Sequence, residues 1–299
     1  MAWRSVVISK PAKLTLKNRS LVVEQEQGTA SVPLEDIAAI VIDQPQVTLT
    51  AALLVACAER QVAVITVDDS HTPNGIFLAH TPHSRALKIM RGQLAMSEPH
   101  KKRLWQLIVK QKMTNQAQLL SQLQHPIAQT IKSLAAQVRS GDPDNFEAQA
   151  AQLYFPALFG KSFTRDDACF ANSALNYGYA IVRSAIARSL VSYGFLPAFG
   201  LHHCSELNAF NLADDFIEPY RILVDACVIK LCQTYDGDDD LDMTAKATLV
   251  NLLHQDTLRL ENGNAMGIST TLALIDASCI SLGQSIKDGN LSLVLPALS

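Results

Sequence analysis

Through the first eighty residues, apolar and polar positions alternate in short runs. Arg4–Ser9, Ala12–Lys17, Leu21–Glu26 and Ala30–Leu34 carry this two-residue period or are β-branched, which predicts strands. Asn18-Arg19 and Gln27-Gly28 are the turns between them. Ile37–Ile42 and Val62–Val67 are unbroken apolar runs, so they read as strands covered on both faces. Between these two, Thr48 or Thr50 can cap a helix on which Ala51, Leu54, Val55 and Ala58 share a face. Asp68–Gly75 reads as a loop and Ile76–His80 as a last short strand.

From residue 84 onward the period becomes helical. A long helical segment is expected over 84–123, with Leu87, Met90, Leu94, Leu104, Ile108, Leu119 and Leu123 facing a core and Pro99 able to break it. A further helix is expected over 127–138. The loop Ser140–Asp144 then leads to Asn145, which can cap a helix beginning at Phe146. Helices at 168–192, 222–233, 243–260 and 268–286 complete the pattern, and the tail Leu291–Leu298 is apolar. The pattern predicts an α+β chain. A small β-rich domain with one helix, residues 1–80, serves as scaffold or dimerisation module. A linker at 81–84 joins it to a larger all-α domain, residues 85–299, which holds the functional site.

Composition narrows the classes. The chain has 299 residues, 48% of them hydrophobic and 18% charged, which is ordinary for a globular protein. It has no apolar run of membrane-spanning length and no signal-peptide core at its start, so a cytoplasmic location is expected. Six scattered cysteines without a Cys-x-x-Cys pair read as reduced and mostly buried thiols. The net charge of −3 hides an asymmetry, because eight basic residues and one acid lie between His83 and Lys112. A solvated helix face is the plainer account of such a run. The excess over acids favours a surface for phosphates, with Arg85, Lys88, Arg91, Lys101, Lys102 and Arg103 as its DNA-binding candidates.

Chemistry concentrates in Gly200–Arg221, which holds His202, His203, Glu206, Asp214, Asp215, Glu218 and Arg221. The segment reads as an amphipathic helix ended or kinked by Pro219, with Leu207, Phe210, Leu212, Phe216 and Ile217 on its apolar side. Asp214 and Asp215 lie four and three residues before Glu218, so their carboxylates can converge. Converging carboxylates need a cation between them, which suggests a hard divalent metal. Upstream, Glu147 lies in a helical first turn, where an acid is commonly a dipole partner. Asn172, Asn176, Tyr179 and Arg183 form a polar stripe that reads chiefly as interhelix contacts. The acidic run Asp236–Asp242 fails as a calcium loop, with Leu241 where glycine is needed and Ala247 where glutamate is needed.

Three stretches taken in order, Phe146–Phe155, Asn172–Tyr179 and Gly200–Arg221, resemble the CRISPR-associated spacer integrase and endonuclease family, Cas1. The wording Asn-Ala-Phe-Asn-Leu at 208–212 is most similar to the branch that accompanies the Cas9 nuclease. The resemblance covers essentially the whole chain. It implies a metal site of Glu147, His203 and Glu218 binding Mg²⁺ or Mn²⁺, with Asp215 as a further catalytic acid. It also implies insertion of captured DNA as new spacers, by attack of a 3′-hydroxyl on repeat-end phosphodiesters. The partners implied are double-stranded DNA, a second copy of the chain, a Cas2 dimer and other type II adaptation proteins, with no membrane. His202 falls outside the implied ligand set and Cys204 reads as buried. Two other readings remain: a DNA-binding scaffold without chemistry of its own, and a zinc hydrolase using His202, His203 and Cys204.

Overall fold

The computed structural model of the protein describes residues 4–69, 73–80, 83–234 and 241–298. Part of the expected linker, part of the 68–75 loop and most of the acidic run from Asp236 lie outside the described residues. The N-terminal part is built from β1 (Arg4–Ile8), β2 (Ala12–Lys17), β3 (Ser20–Gln25), β4 (Gly28–Pro33), β5 (Ile37–Ile42), β6 (Val47–Leu49), helix α1 (Ala51–Glu59), β7 (Ala63–Val67) and β8 (Pro73–Phe77). One sheet has the order β4-β3-β2-β6 and another the order β1-β5-β7-β8. Asn18 and Arg19 both take positive φ between β2 and β3, as a tight hairpin turn requires. Thr50 caps α1, its hydroxyl accepting from the Leu53 amide.

Strands β5 and β7 explain why their sequences lack alternation. Ala39 and Val41 of β5, with Ala63 and Ile65 of β7, pack into the core shared with the helices. Ile40, Ile42 and Val64 point the other way, into a smaller core with Leu14, Leu21, Leu53 and Cys57. The sheet is therefore covered on both faces. A buried ion pair, Lys246 Nζ to Asp43 Oδ2 at 2.7 Å, also ties the end of β5 to the helical part.

The helical part runs through α2 (Ala86–Leu94), α3 (Glu98–Gln122), α4 (Ala128–Gln137), α5 (Phe146–Phe159), α6 (Phe170–Ser192), α7 (Asn211–Ile217), a 3-10 turn (Glu218–Tyr220), α8 (Arg221–Thr234) and α9 (Met243–Asn251). Pro99 lies within the first turn of α3, where a missing amide is harmless; the break expected near it falls at residues 95–97. The α5 start differs from expectation. Asn145 adopts a left-handed conformation without capping, and the Asp142 carboxylate takes the Phe146 and Glu147 amides instead, at 3.1 and 3.0 Å.

The expectation of an all-α C-terminal domain is overturned by a third sheet. After α9 come β9 (Asp256–Glu261), β10 (Asn264–Thr270), α10 (Thr271–Asp288) and β11 (Val294–Ala297), with the strands ordered β10-β9-β11. Asn262 and Gly263, both at positive φ, make the tight turn between β9 and β10; Asn-Gly is a strong hairpin signal that helical periodicity hides. The apolar tail becomes β11, paired to β9 from Val294↔Glu261 to Ala297↔Leu258. No helix among the described residues is long and apolar enough to cross a membrane.

Candidate active site

The segment from Gly200 to Phe210 is a loop of turns, and helix begins only at Asn211. The expected single amphipathic helix is thus half loop, and Leu207, expected on its apolar side, is 99% exposed. Asparagines knot the loop together. Asn211 Nδ2 donates to Ala198 O at 3.0 Å and to Ser205 O at 2.9 Å, while its Oδ1 accepts from the Ser205 amide at 3.2 Å. Side-chain amides can do this because each carries both donors and an acceptor.

Asp214, Asp215 and Glu218 point to three different partners. Asp214 pairs with Arg183 of α6 and accepts from Asn208 Nδ2 at 2.5 Å. Asp215 is fully buried and takes the amides of Leu201 (2.5 Å), His202 (3.2 Å) and His203 (3.1 Å), plus His203 Nδ1 at 2.8 Å. It acts here as a loop-positioning group. Gly200 makes this possible, because a side chain there would meet Asp215 Oδ2 at 2.7 Å and collide with the His203 carbonyl. The bond to Asp215 raises the His203 pKa; burial opposes it, and the charges of Asp215, Glu218 and Asp214 add to the rise. The same bond fixes the ring, leaving Nε2 as the nitrogen turned away from Asp215.

Glu218 goes elsewhere. Only 6% exposed, it lies in the 3-10 turn that Pro219 imposes between α7 and α8. Arg221 holds its Oε1, with Nε at 3.0 Å and Nη2 at 2.9 Å. Its Oε2 faces Lys112 Nζ of α3 at 2.5 Å, an ion pair without a well-angled hydrogen bond. The same ammonium contacts Glu147 Oε1 at the start of α5. Glu147 and Glu218, 71 residues apart in sequence, thus share one cation. Burial pushes Glu218 up, but Lys112 and Arg221 outweigh it and hold the carboxyl at about 2. Burial likewise works against the Lys112 ammonium, and Glu218 and Glu147 prevail to raise its pKa.

Around this pair lies an open cleft of about 260 Å³, lined by Lys112, Gln116, Glu147, Arg165, Tyr179, Glu218, Arg221 and Asp225 among others. The Arg221 guanidinium lies over the Tyr179 ring, 4.5 Å from its centroid. Tyr179 in turn donates to buried Asp225, which also accepts from Tyr154 at 2.8 Å. Burial lifts Asp225 against those two bonds and the nearby cations, to about 6. Arg165 bonds Asn172 and Asn176 of the polar stripe, so those asparagines are satisfied by a cation at the cleft wall.

His203 does not join the two glutamates in this cleft. It lines a neighbouring cavity of about 450 Å³ with Lys101, Cys204, Asn208 and Phe199. Trp105 of α3 stacks flat on His202, with centroids 4.3 Å apart, and meets His203 edge-on at 5.7 Å. Among the described residues no three His, Cys, Asp or Glu side chains are grouped to hold a metal ion, which removes support from a zinc site at residues 202–204. Cys204, expected to be buried, is exposed. The donors nevertheless fit a hard divalent cation. Two carboxylates from separate elements already share the Lys112 ammonium, and the His203 imidazole, in the next cavity, is oriented by a carboxylate through Nδ1, as metal-bound histidines are. Arg85, Lys88, Arg91, Lys102 and Arg103 are exposed on α2 and the start of α3, Lys101 is partly exposed, and Lys112 is buried.

Comparison with known proteins shows the family. The profile of the family described as CRISPR associated protein Cas1 matches residues 6–259. The chain belongs to the Cas1 family. It is 45% identical, over 97% of its length and 94% of the relative's, to the CRISPR-associated endonuclease Cas1 of Neisseria meningitidis serogroup C (strain 8013). Among solved structures it is similar to a Cas6-RT-Cas1–Cas2 complex (TM-score 0.73, 20% identity, 96% of this chain and 35% of that one). It is also similar to a casposase bound to integration product (TM-score 0.72, 17% identity, 98% of this chain and 92% of that one). At those identities the structural likeness speaks for the fold, and both likenesses span nearly the whole Cas1-family chain.

Pattern reading missed Arg165 and Asp225 of the cleft, and above all Lys112. Lys112 was counted with the basic surface run, yet it occurs among Ile108, Val109, Met113 and Gln116, all buried. A lysine in the apolar register of a helix was the available signal.

Proposed function

We propose that this Cas1-family protein is a metal-dependent DNA integrase and endonuclease of CRISPR adaptation, of the branch that accompanies Cas9. The observation that carries the reading is the convergence of Glu147 and Glu218, from distant parts of the chain, on a single cation in a cleft walled by Arg165 and Arg221. Glu147, Glu218 and His203 would hold Mg²⁺ or Mn²⁺; when bound, the ion supplies Lewis-acid activation of the scissile phosphate. Arg221 fixes one Glu218 oxygen, leaving the other for the ligand. Asp215 holds His203 in one orientation through Nδ1, so Nε2 is the nitrogen that would meet the ion. Arg165 and Arg221 supply positive charge for the phosphate, and Arg85, Lys88, Arg91, Lys101, Lys102 and Arg103 hold the flanking duplex.

The reaction conserves phosphodiesters. The 3′-oxygen of a captured fragment forms a new P–O bond at the repeat end, the old P–O bond breaks, and the proton of the attacking hydroxyl passes to the departing 3′-oxygen by way of the site or solvent. Water in place of the hydroxyl gives nicking. The N-terminal part, residues 1–80, serves as scaffold and dimerisation module, the helical part from residue 85 carries the chemistry, and a Cas2 dimer with other adaptation proteins completes the assembly. In an integration assay with Mn²⁺, Glu147→Ala, His203→Ala and Glu218→Ala should each lose about 100-fold or more of strand transfer while keeping the far-ultraviolet circular dichroism of the parent. Full activity in all three variants would sink the site. DNA binding without any metal-dependent product from the parent protein would instead favour a scaffold subunit.

A further inference from the structure

Lys112 is 8% exposed near the middle of the 25-residue helix α3. A lysine there forfeits hydration and is kept only by what it faces. It faces Glu147 on one side and Glu218 on the other. With Arg221 on Glu218, the group holds two negative and two positive charges, and it is neutral without any metal. A divalent ion drawn to the same two carboxylates would meet an ammonium at contact distance, and like charges in a poorly hydrated cleft repel strongly. The ammonium has somewhere to go. Gln116, one turn further along α3, lines the same cleft, is 5% exposed, and its Oε1 has no hydrogen-bond partner.

We infer that Lys112 is a resident counter-cation: it holds Glu147 and Glu218 together before metal arrives, competes with the metal for them, and is expelled when the metal binds. The inference rests on the reading of those two glutamates as metal ligands. It assigns Lys112 a positioning role that lowers metal affinity, so the carboxylates do not spring apart, or capture any stray cation, while the protein is unloaded.

Two measurements test it, neither depending on activity. Mn²⁺ titration followed by electron paramagnetic resonance should show Lys112→Gln binding about tenfold more tightly than the parent, because the competing charge is gone. Lys112→Arg, which keeps the charge, should stay within about twofold. In the parent protein, acetylation of Lys112 by an amine-reactive ester, read by peptide mass spectrometry, should rise several-fold on saturation with Mn²⁺. That second readout needs no variant to fold. Equal or weaker Mn²⁺ binding by a folded Lys112→Gln, or unchanged or reduced labelling of the parent, overturns the inference. Mn²⁺ binding by the parent that Glu218→Gln leaves intact overturns instead the reading of the site on which it rests.

Discussion

At the scale of single residues, this protein places each charged group of the site against a partner that decides its role. Asp214, Asp215 and Glu218 are near neighbours in sequence, yet one holds Arg183, one holds the His203 loop, and one faces Lys112. Asp225 shows the cost of burying a carboxylate even with two tyrosine donors. Its pKa of about 6 lies above the roughly 3.9 of an unfolded aspartate, so the folded state binds the proton more tightly. Its contribution to stability is therefore fully present below about pH 3.9 and is lost as pH rises through about 6. Asp225→Asn, which carries no such charge, should gain in melting temperature relative to the parent between pH 4 and pH 7. Parallel melting curves across that range would show that Asp225 is not desolvated as described. The same substitution should weaken strand transfer, because Tyr179 supports Arg221 from beneath and Arg221 holds Glu218.

At the scale of elements, the link between α6 and α8 does most to shape the site. Proline at 219 turns the α7–α8 junction into a 3-10 step and aims Glu218 at α3 rather than along the Asp214–Asp215 direction. The loop before α7 closes on the Asp215 carboxylate only because residue 200 lacks a side chain. Gly200→Ala should lower stability by roughly 1–3 kcal/mol, the usual cost of forcing an extra carbon into a filled space. It should also reduce strand transfer by displacing His203, with less effect on DNA affinity. Calorimetry alongside a binding assay separates the two, and a variant as stable and active as the parent would mean the loop yields without consequence. Of the elements themselves, most strands and helices were legible in the sequence, because period and turn chemistry are local. The third sheet was not. Its strands β9 and β11 contain Leu258, Leu260 and Leu295, which fit a helix or a strand equally well at that length, and only pairing between residues 256–261 and 294–297 settles the choice.

At the scale of the whole molecule, charge is separated in space despite a net value of −3. The exposed cations of α2 and early α3 lie beside the His203 cavity, to whose lining Lys101 contributes. On the proposed function this surface holds the DNA that feeds the cleft. Reversing Lys102 and Arg103 to glutamate should weaken duplex binding for all sequences alike. It should also reduce the slope of log affinity against log salt by about 2, roughly 0.9 per lost phosphate contact. Fluorescence anisotropy at several salt concentrations checks this, and an unchanged slope would place the duplex elsewhere. Thermal stability should barely move, since both side chains are exposed.

What the sequence determined by itself is whatever depends on neighbours along the chain. The two-residue and 3.6-residue periods, the turn at Asn18-Arg19, a threonine cap at 48 or 50 and the doubly covered strands β5 and β7 were all written in local composition. The ordered motifs around Glu147, Asn172 and His203–Glu218 were enough to point to the family. What tertiary structure alone decided is which charges meet. Lys112 reads as one more surface cation until α3 is packed against α5 and the turn after α7, which bury it between two carboxylates. His203 and Glu218, 15 residues apart in sequence, open onto different cavities because Asp215 and Pro219 turn them apart. Spacing sets which side chains can come near one another, whereas desolvation and the packing of distant helices select which of them form the site.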